Sequence, residues 1–311
     1  MKNMSRIQVW AAQTRANFLL LVVFLVAIGL AYAALYEPAA FSWGHALLIL
    51  AGGISAHISV NLFNEYSDFQ TKIDFYTDRT PFSGGSGMLP SGQTRPGQVK
   101  ALAWITLLFS AGVGIYFGLV AHWTVILISL IGAFAIVFYT PLLSKVLLGE
   151  VFAGLALGSL VVVGAFIAMT GVPGTPLSDM VPLEVWLVSI PPGILTFLLL
   201  LLNEFPDVEA DKAGGRKHLV IKLGKKKAAG IYAAGMALTF LVILMLPLLG
   251  ISSFWIYLAL LPLPMAIKAA QTALTQAENI EKLMPAMGMN VVVVLATDLL
   301  LALGVIVQIL S

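Results

Sequence analysis

Apolar runs of about twenty residues recur along the whole chain, the length a helix needs to cross a hydrocarbon core of roughly 30 Å at about 1.5 Å per residue. Inside a bilayer no water satisfies the backbone, so runs of this length form helices that bundle, and a barrel is excluded. Spans are predicted at 16–36, 44–63, 99–120, 122–141, 148–171, 183–203, 227–248, 251–271 and 286–310. The composition agrees: 10% of residues are charged and 59% hydrophobic, far from the roughly one quarter charged in a soluble domain. The expected fold is therefore an all-α membrane bundle of about nine helices, with two related halves around a central cavity and one transmembrane domain over 1–311. Phe18 to Leu30, followed by Ala31-Tyr32-Ala33, has the outline of a signal peptide. Its apolar run continues past that site, however, and an uncleaved first helix is expected. There is no cysteine, which excludes disulfides, thiolate metal sites and thiol catalysis.

With nine alternating crossings, all 17 Lys and Arg residues fall on the N-terminal side or at its membrane boundary, from Lys2, Arg6 and Arg15 to Lys268 and Lys282. One miscounted span would scatter the later basic loops. The pattern therefore supports the count and predicts an inner (cytoplasmic) membrane protein with its N-terminus in the cytoplasm and its C-terminus outside. Lys225, Lys226 and Lys227 read as a topology and headgroup anchor. Two connections on the basic side are long, Asn64 to Gln98 and Glu204 to Lys226, and function is sought there.

Those two connections open alike. Span two runs into Asn64-Glu65-Tyr66-Ser67-Asp68 and on to Asp74 and Asp78; span six runs into Asn203-Glu204-Phe205-Pro206-Asp207 and on to Glu209 and Asp211. On a helix, Asn64 and Asp68 share one face, as do Asn203, Asp207 and Asp211. Carboxylates gathered in this way repel one another, and a hard divalent cation relieves the repulsion. Mg²⁺ is commonly held by one or two carboxylates together with phosphate oxygens. Asn64, Asp68, Asp74, Asn203, Asp207 and Asp211 are the expected metal ligands, and Asp68 and Asp207 the central ones. Lys72, Arg79, Arg216 and Lys217 lie near in sequence and can neutralise the remaining phosphate charge.

At these residues the chain resembles the UbiA family of membrane prenyltransferases over nearly its full length. The resemblance also takes in Gly215-Arg216-Lys217-His218-Leu219 and Leu223-Gly224. It implies that Mg²⁺ on both motifs holds the diphosphate of a polyprenyl donor, and that an electron-rich aromatic acceptor attacks the allylic cation left when pyrophosphate departs. The lipid bilayer is the remaining partner, and no nucleic acid is expected. Phe63, Tyr66 and Tyr139 are aromatics that can face the cation. Asp74 stands six residues after Asp68, with Lys72 at the more usual acidic place. This spacing, together with Tyr139-Thr140-Pro141 and Gly149-Glu150, looks like the branch that prenylates 1,4-dihydroxy-2-naphthoate in menaquinone synthesis. Glu65 and His218 depart from that branch, in place of Asp and Thr, and leave 4-hydroxybenzoate, haem or a lipid alcohol as other acceptors.

Three features stand beside the motifs. The Arg79 to Gly87 segment is either a flexible lid or a turn-rich connection; Asp298, isolated in the last span, is a functional candidate on membrane grounds; and Glu150 is an acceptor-side residue by resemblance only. A cation or metabolite transporter is the competing reading. Against it, the acids gather at one face, not at the midplane where transport sites lie. An alcohol phosphotransferase ranks last, because its Asp-Gly-x-x-Ala-Arg start is missing.

Overall fold

The computed structural model describes residues 4–77 and 79–311, so Asp78 lies outside the described residues. All of its regular structure is helical. A short N-terminal helix α1 (Arg6–Gln13) is closed by a capping box, in which Ser5 and Gln8 each satisfy the other's backbone N–H. The following helices are α2 (Ala16–Tyr36), α3 (Trp43–Gln70), the single turn α4 (Ile73–Tyr76), α5 (Pro96–Val120), α6 (Thr124–Phe138), α7 (Gly149–Thr170) and α8 (Leu183–Asn203). The short helices α9 (Val208–Ala213) and α10 (Leu219–Leu223) precede α11 (Lys225–Leu248), α12 (Leu263–Gln276) and α13 (Ile280–Leu310).

Among the described residues seven helices are long and apolar enough to cross a membrane. An eighth span is the pair Phe254–Leu260 and α12, bent by 41°. Pro262 sits at that bend, where it can cap a new helix but cannot continue the old one. The remaining expected span, 122–141, is a helix of only 15 residues. It stops at Phe138 because Tyr139-Thr140-Pro141 leaves the helical path into a turn, with Ser144 N–H donating to Tyr139 O at 2.8 Å.

Two helices differ from expectation in ways that build the site. Helix α3 has 28 residues and is therefore about 42 Å long, longer than the hydrocarbon core is thick. It is long enough for its last turns, which carry Asn64 and Asp68, to extend past the apolar layer as one unbroken helix. The second motif is not one helix: α8 ends at Asn203, and Asp207 caps the separate helix α9. Pro206 has no N–H to donate and restricts Phe205, which breaks the helix inside the motif.

Helices α7 and α8 approach backbone to backbone. A Cβ on Gly158 would lie 2.6 Å from the Gly193 Cα, and one on Gly154 would lie 2.7 Å from the Gly193 carbonyl oxygen. Residues Ala153–Ser159 of α7 form a π-helical stretch, a local widening found mostly at functional positions. This close contact brings Glu150, at the start of α7, beside Glu204, just past the end of α8.

Candidate active site

The two motifs meet at one end of the bundle, above a cavity of about 290 Å³. Asn64, Asp68, Asp74, Asn203, Asp207 and Asp211 all line it, with Arg15, Arg216, Glu204, His218 and Tyr139. Below this polar rim the wall is mostly apolar, with Gly53, Ala56, Ala135, Ala153, Ala156 and Leu157 running down into the bundle and His57 and Thr196 as polar exceptions.

Arg216 joins the two halves. Its Nη2 donates to Asp68 Oδ1 of the first motif, and its Nη1 donates to Asp211 Oδ1 of the second at 2.9 Å. Burial opposes its charge, but Asp68 and Asp211 outweigh that cost and hold its pKa above the ordinary arginine value. Among the described residues Arg216 is the only guanidinium paired directly with these carboxylates, since the other one at the cavity, Arg15, is matched by Glu65. The cluster of Asp68, Asp74, Asp207 and Asp211 therefore remains short of positive charge. Burial first, and then Asp68 and Glu65, push Asp74 up to about 7. Burial first, and then Asp211, push Asp207 up to about 7.

Several oxygen donors in the cluster are buried without a hydrogen-bond partner: Asp74 Oδ2, Asn203 Oδ1 and Asp207 Oδ1. Such atoms are rare unless water or a ligand satisfies them. Asn64 is held in place, its Oδ1 accepting from Thr140 Oγ1 at 2.9 Å. Tyr139 lies against Gly149, where a Cβ would come within 3.3 Å of the ring. Burial and then Glu204 raise the Tyr139 hydroxyl well above the ordinary tyrosine range.

The other basic candidates stand elsewhere. Lys72, in the left-handed conformation at φ 63°, and Lys217 are exposed and do not line the cavity. Arg79 is also exposed, and its Nη2 donates to the Asp74 carbonyl oxygen at 3.0 Å. Of the four basic residues expected around the diphosphate, only Arg216 lines the cavity. Phe63 packs edge-on against Trp104, and the Tyr66 ring lies under Lys100. Neither lines the cavity.

Two arrangements emerge only in the structure. Glu65 is fully buried and accepts five hydrogen bonds: from Arg15 Nε and Nη2 at 3.0 and 2.8 Å, Ser86 N–H at 2.8 Å, Ser86 Oγ at 2.5 Å and Gln13 Nε2 at 3.0 Å. It fastens α1 and the glycine segment to α3. That segment is a fitted cover: Ser83, Gly84 and Gly85 line the cavity, and Gly84, Gly85 and Gly87 have φ between 71° and 86°. A Cβ at Gly85 would lie 2.8 Å from Asp74 Oδ1, so only glycine lets the chain cross the acidic cluster there. The second feature is a buried group of Glu150, Glu204 and His218 beside the second motif. Each of the three was visible singly in the sequence, but their convergence depends on the α7–α8 contact.

The fold is shared with solved structures. A UbiA homologue from Aeropyrum pernix K1 aligns at TM-score 0.71 and 18% identity, covering 94% of this chain and 98% of its own. A digeranylgeranylglyceryl phosphate synthase aligns at 0.63 and 17%, covering 97% and 99%. A UbiA homologue from Archaeoglobus fulgidus bound to DMAPP and Mg²⁺ aligns at 0.61 and 15%, covering 94% and 98%. In sequence, the 1,4-dihydroxy-2-naphthoate octaprenyltransferase of Bacillus subtilis (strain 168) is 30% identical over 228 residues, 72% of this chain and 70% of that one. The enzyme of the same name from Escherichia coli (strain K12) is 26% identical over 113 residues, 36% of each chain. The sequence profile of the UbiA prenyltransferase family matches residues 10–293, which takes in both acidic motifs, Arg216 and the helices that enclose the cavity, and the chain is therefore a prenyltransferase of the UbiA family.

Proposed function

We propose that the protein transfers a polyprenyl group from a polyprenyl diphosphate to an aromatic acceptor, with Mg²⁺ as cofactor and 1,4-dihydroxy-2-naphthoate as the acceptor. The observation that carries this reading is the junction of two carboxylate clusters, bridged by Arg216, over a cavity whose walls are mostly apolar below the rim.

The donor set fits a hard divalent cation. Asp68, Asp74, Asp207 and Asp211 offer carboxylate oxygens, Asn64 and Asn203 offer amide oxygens, and three of these donor groups present unpartnered buried atoms. Mg²⁺ bound there would supply positive charge to the diphosphate oxygens as the allylic C–O bond breaks. Arg216 supplies a further charge-assisted donor to the leaving group, from a position already between the motifs. Thr140 orients Asn64 through its hydroxyl. The Phe82 to Gly85 cover and the apolar wall keep water away from the allylic cation, which would otherwise be quenched. The small side chains at Ala56, Ala135, Ala153 and Ala156 leave room for the isoprenoid tail. Tyr139 lies at the boundary of the polar and apolar zones, where its ring can face the cation.

The acceptor assignment draws support from the Bacillus subtilis relative and from the Asp68 to Asp74 spacing. The one-sided distribution of Lys and Arg supports an inner membrane location with this site at the cytoplasmic face. The test is incubation of purified protein with a labelled polyprenyl diphosphate, Mg²⁺ and a panel of acceptors. A prenylated dihydroxynaphthoate product is expected. Product on 4-hydroxybenzoate or a lipid alcohol alone overturns the acceptor, and no product with any acceptor overturns the assigned chemistry.

A further inference from the structure

Beside the diphosphate cluster lies a group of side chains to which the reading above gives no part in holding the donor. Glu150 is the second residue of α7, Glu204 follows the last residue of α8, and His218 caps α10. Three elements separated in sequence thus deliver one donor each to a single point, with one atom from each residue within 4.8 Å of the others. His218 and Glu150 are buried to 2% and 0% exposure and Glu204 to 7%.

These atoms are oriented, yet they are not used up by hydrogen bonds. Glu150 Oε1 is fixed by the Leu219 N–H at 2.7 Å, which leaves Oε2 buried without a partner. Glu204 Oε2 lies 3.4 Å from His218 Nδ1, and neither makes a hydrogen bond. On the far side of the ring, His218 Nε2 stands 3.2 Å from Asp211 Oδ2. Neither ring nitrogen makes a hydrogen bond, so Nδ1 stands open beside the two glutamates, with the Asp211 carboxylate behind the ring, where metal-binding histidines commonly keep an outer carboxylate. A separation near 3.4 Å suits two ligands of one ion at about 2.0–2.1 Å each. Two carboxylates and an imidazole, once they ligate a divalent ion, cancel its charge, which a buried site requires.

We propose that Glu150, Glu204 and His218 Nδ1 form a further metal site, separate from the six aspartate and asparagine ligands of the two motifs, for a divalent first-row transition ion of the Zn²⁺ or Mn²⁺ type. The imidazole selects against Mg²⁺, which takes oxygen ligands, and three protein ligands leave a position open. Glu204 and His218 line the cavity, so the open position faces it. There the ion takes an oxygen ligand, and the acceptor's hydroxyl is the substrate group of that chemistry. This last role rests on the prenyl-transfer reading, whereas the site itself does not.

The test uses the full chain, purified in detergent and stripped with a chelator. Zn²⁺ is titrated in a large excess of Mg²⁺, and Co²⁺ is then bound as a spectroscopic probe. One Zn²⁺ per chain is expected, with binding retained in Asp68→Asn and Asp207→Asn and weakened at least about 100-fold in His218→Ala and Glu150→Gln. Co²⁺ should give the intense visible bands of a low-coordinate site with a nitrogen ligand. Zn²⁺ binding unchanged in His218→Ala, or lost equally in Asp68→Asn, overturns the proposal. So does a weak Co²⁺ spectrum typical of six oxygens in the unmodified protein, a result independent of how any variant folds. Mg²⁺-dependent donor binding, measured in parallel, separates the two readings. Donor binding without a Zn²⁺ site leaves prenyl transfer standing, and a Zn²⁺ site without donor binding does the reverse.

Discussion

Two buried glutamates at opposite ends of the bundle have very different surroundings. Glu184, at the start of α8, accepts from Tyr32 at 3.1 Å, from Ser252 at 2.5 Å and from Tyr36. Glu204, just past the end of the same helix, leaves Oε2 unpartnered, and burial followed by Glu150 raises it well above the ordinary carboxylate range. The helix between them is about 30 Å long. A carboxylate whose donors all come from the protein ties helices together, and one short of donors is held ready for a ligand. The same contrast recurs within the first motif, where Glu65 has five donors and Asp74 keeps a bare oxygen.

The sharpest way to break this comparison is to remove charge on the ligand-poor side. Asp68→Asn and Asp207→Asn are each expected to lower prenyl transfer by about 10³-fold or more, because transition-state charge on the leaving group loses its counter-charge. Stability should hold in Asp207→Asn, which relieves repulsion and breaks no ion pair, whereas Asp68→Asn also takes a carboxylate from Arg216 and should cost some stability. An Asp207→Asn variant that loses melting temperature and activity together would place Asp207 with Glu65. On the satisfied side the order inverts. Glu65→Gln leaves Arg15 without its partner carboxylate, and such losses cost about 3–5 kcal/mol when both charges are buried. Arg15 is 28% exposed, so about 2–3 kcal/mol is expected, read as a lower apparent melting temperature. Activity should fall less than in Asp207→Asn, and only through a loosened cover.

Much of this was legible in the sequence because the bilayer imposes a coarse rule. Span length, basic segregation and the repeated Asn-Glu-aromatic-x-Asp pattern located both motifs at one end of the bundle, and all six expected metal ligands line one cavity. What was not legible depends on where the chain turns. The spacing of Asn203, Asp207 and Asp211 suggests one helical face, whereas Pro206 divides them between two helices. Lys72 and Lys217 are near the acids in sequence but turn outward, while Arg15, 50 residues from Glu65, reaches the cavity through a pair no local pattern reveals. Glu150, Glu204 and His218 meet only because Gly154, Gly158 and Gly193 let two helices touch.

A milder test addresses the far end. Glu184→Gln keeps the shape of the side chain and removes its charge, so its hydroxyl donors lose a charge-assisted acceptor worth about 1–2 kcal/mol. Activity within about twofold of the unmodified protein is expected, since Glu184 does not line the cavity. A large activity loss there would mean that the two ends are coupled, and that satisfied donors do not by themselves mark a structural carboxylate.

The smallest expected effect concerns protons. In the metal-free protein Asp74 and Asp207 are raised to about 7, whereas in the unfolded chain both return to about 3.9. Between those values the folded state binds more protons than the unfolded one, so stability falls as pH rises from about 4 to 7. Acidifying the metal-free protein from pH 7 to pH 5.5 should therefore raise its apparent melting temperature, by about 2–4 °C if the net gain is about 1 kcal/mol. Mg²⁺ binds the ionised carboxylates and competes with those protons. Its presence should flatten the trend at pH 7 and lose affinity as pH falls. A pH response identical with and without Mg²⁺ would mean that Asp74 and Asp207 do not hold the ion, and would leave their unpartnered oxygens without the ligand that the comparison assigns them.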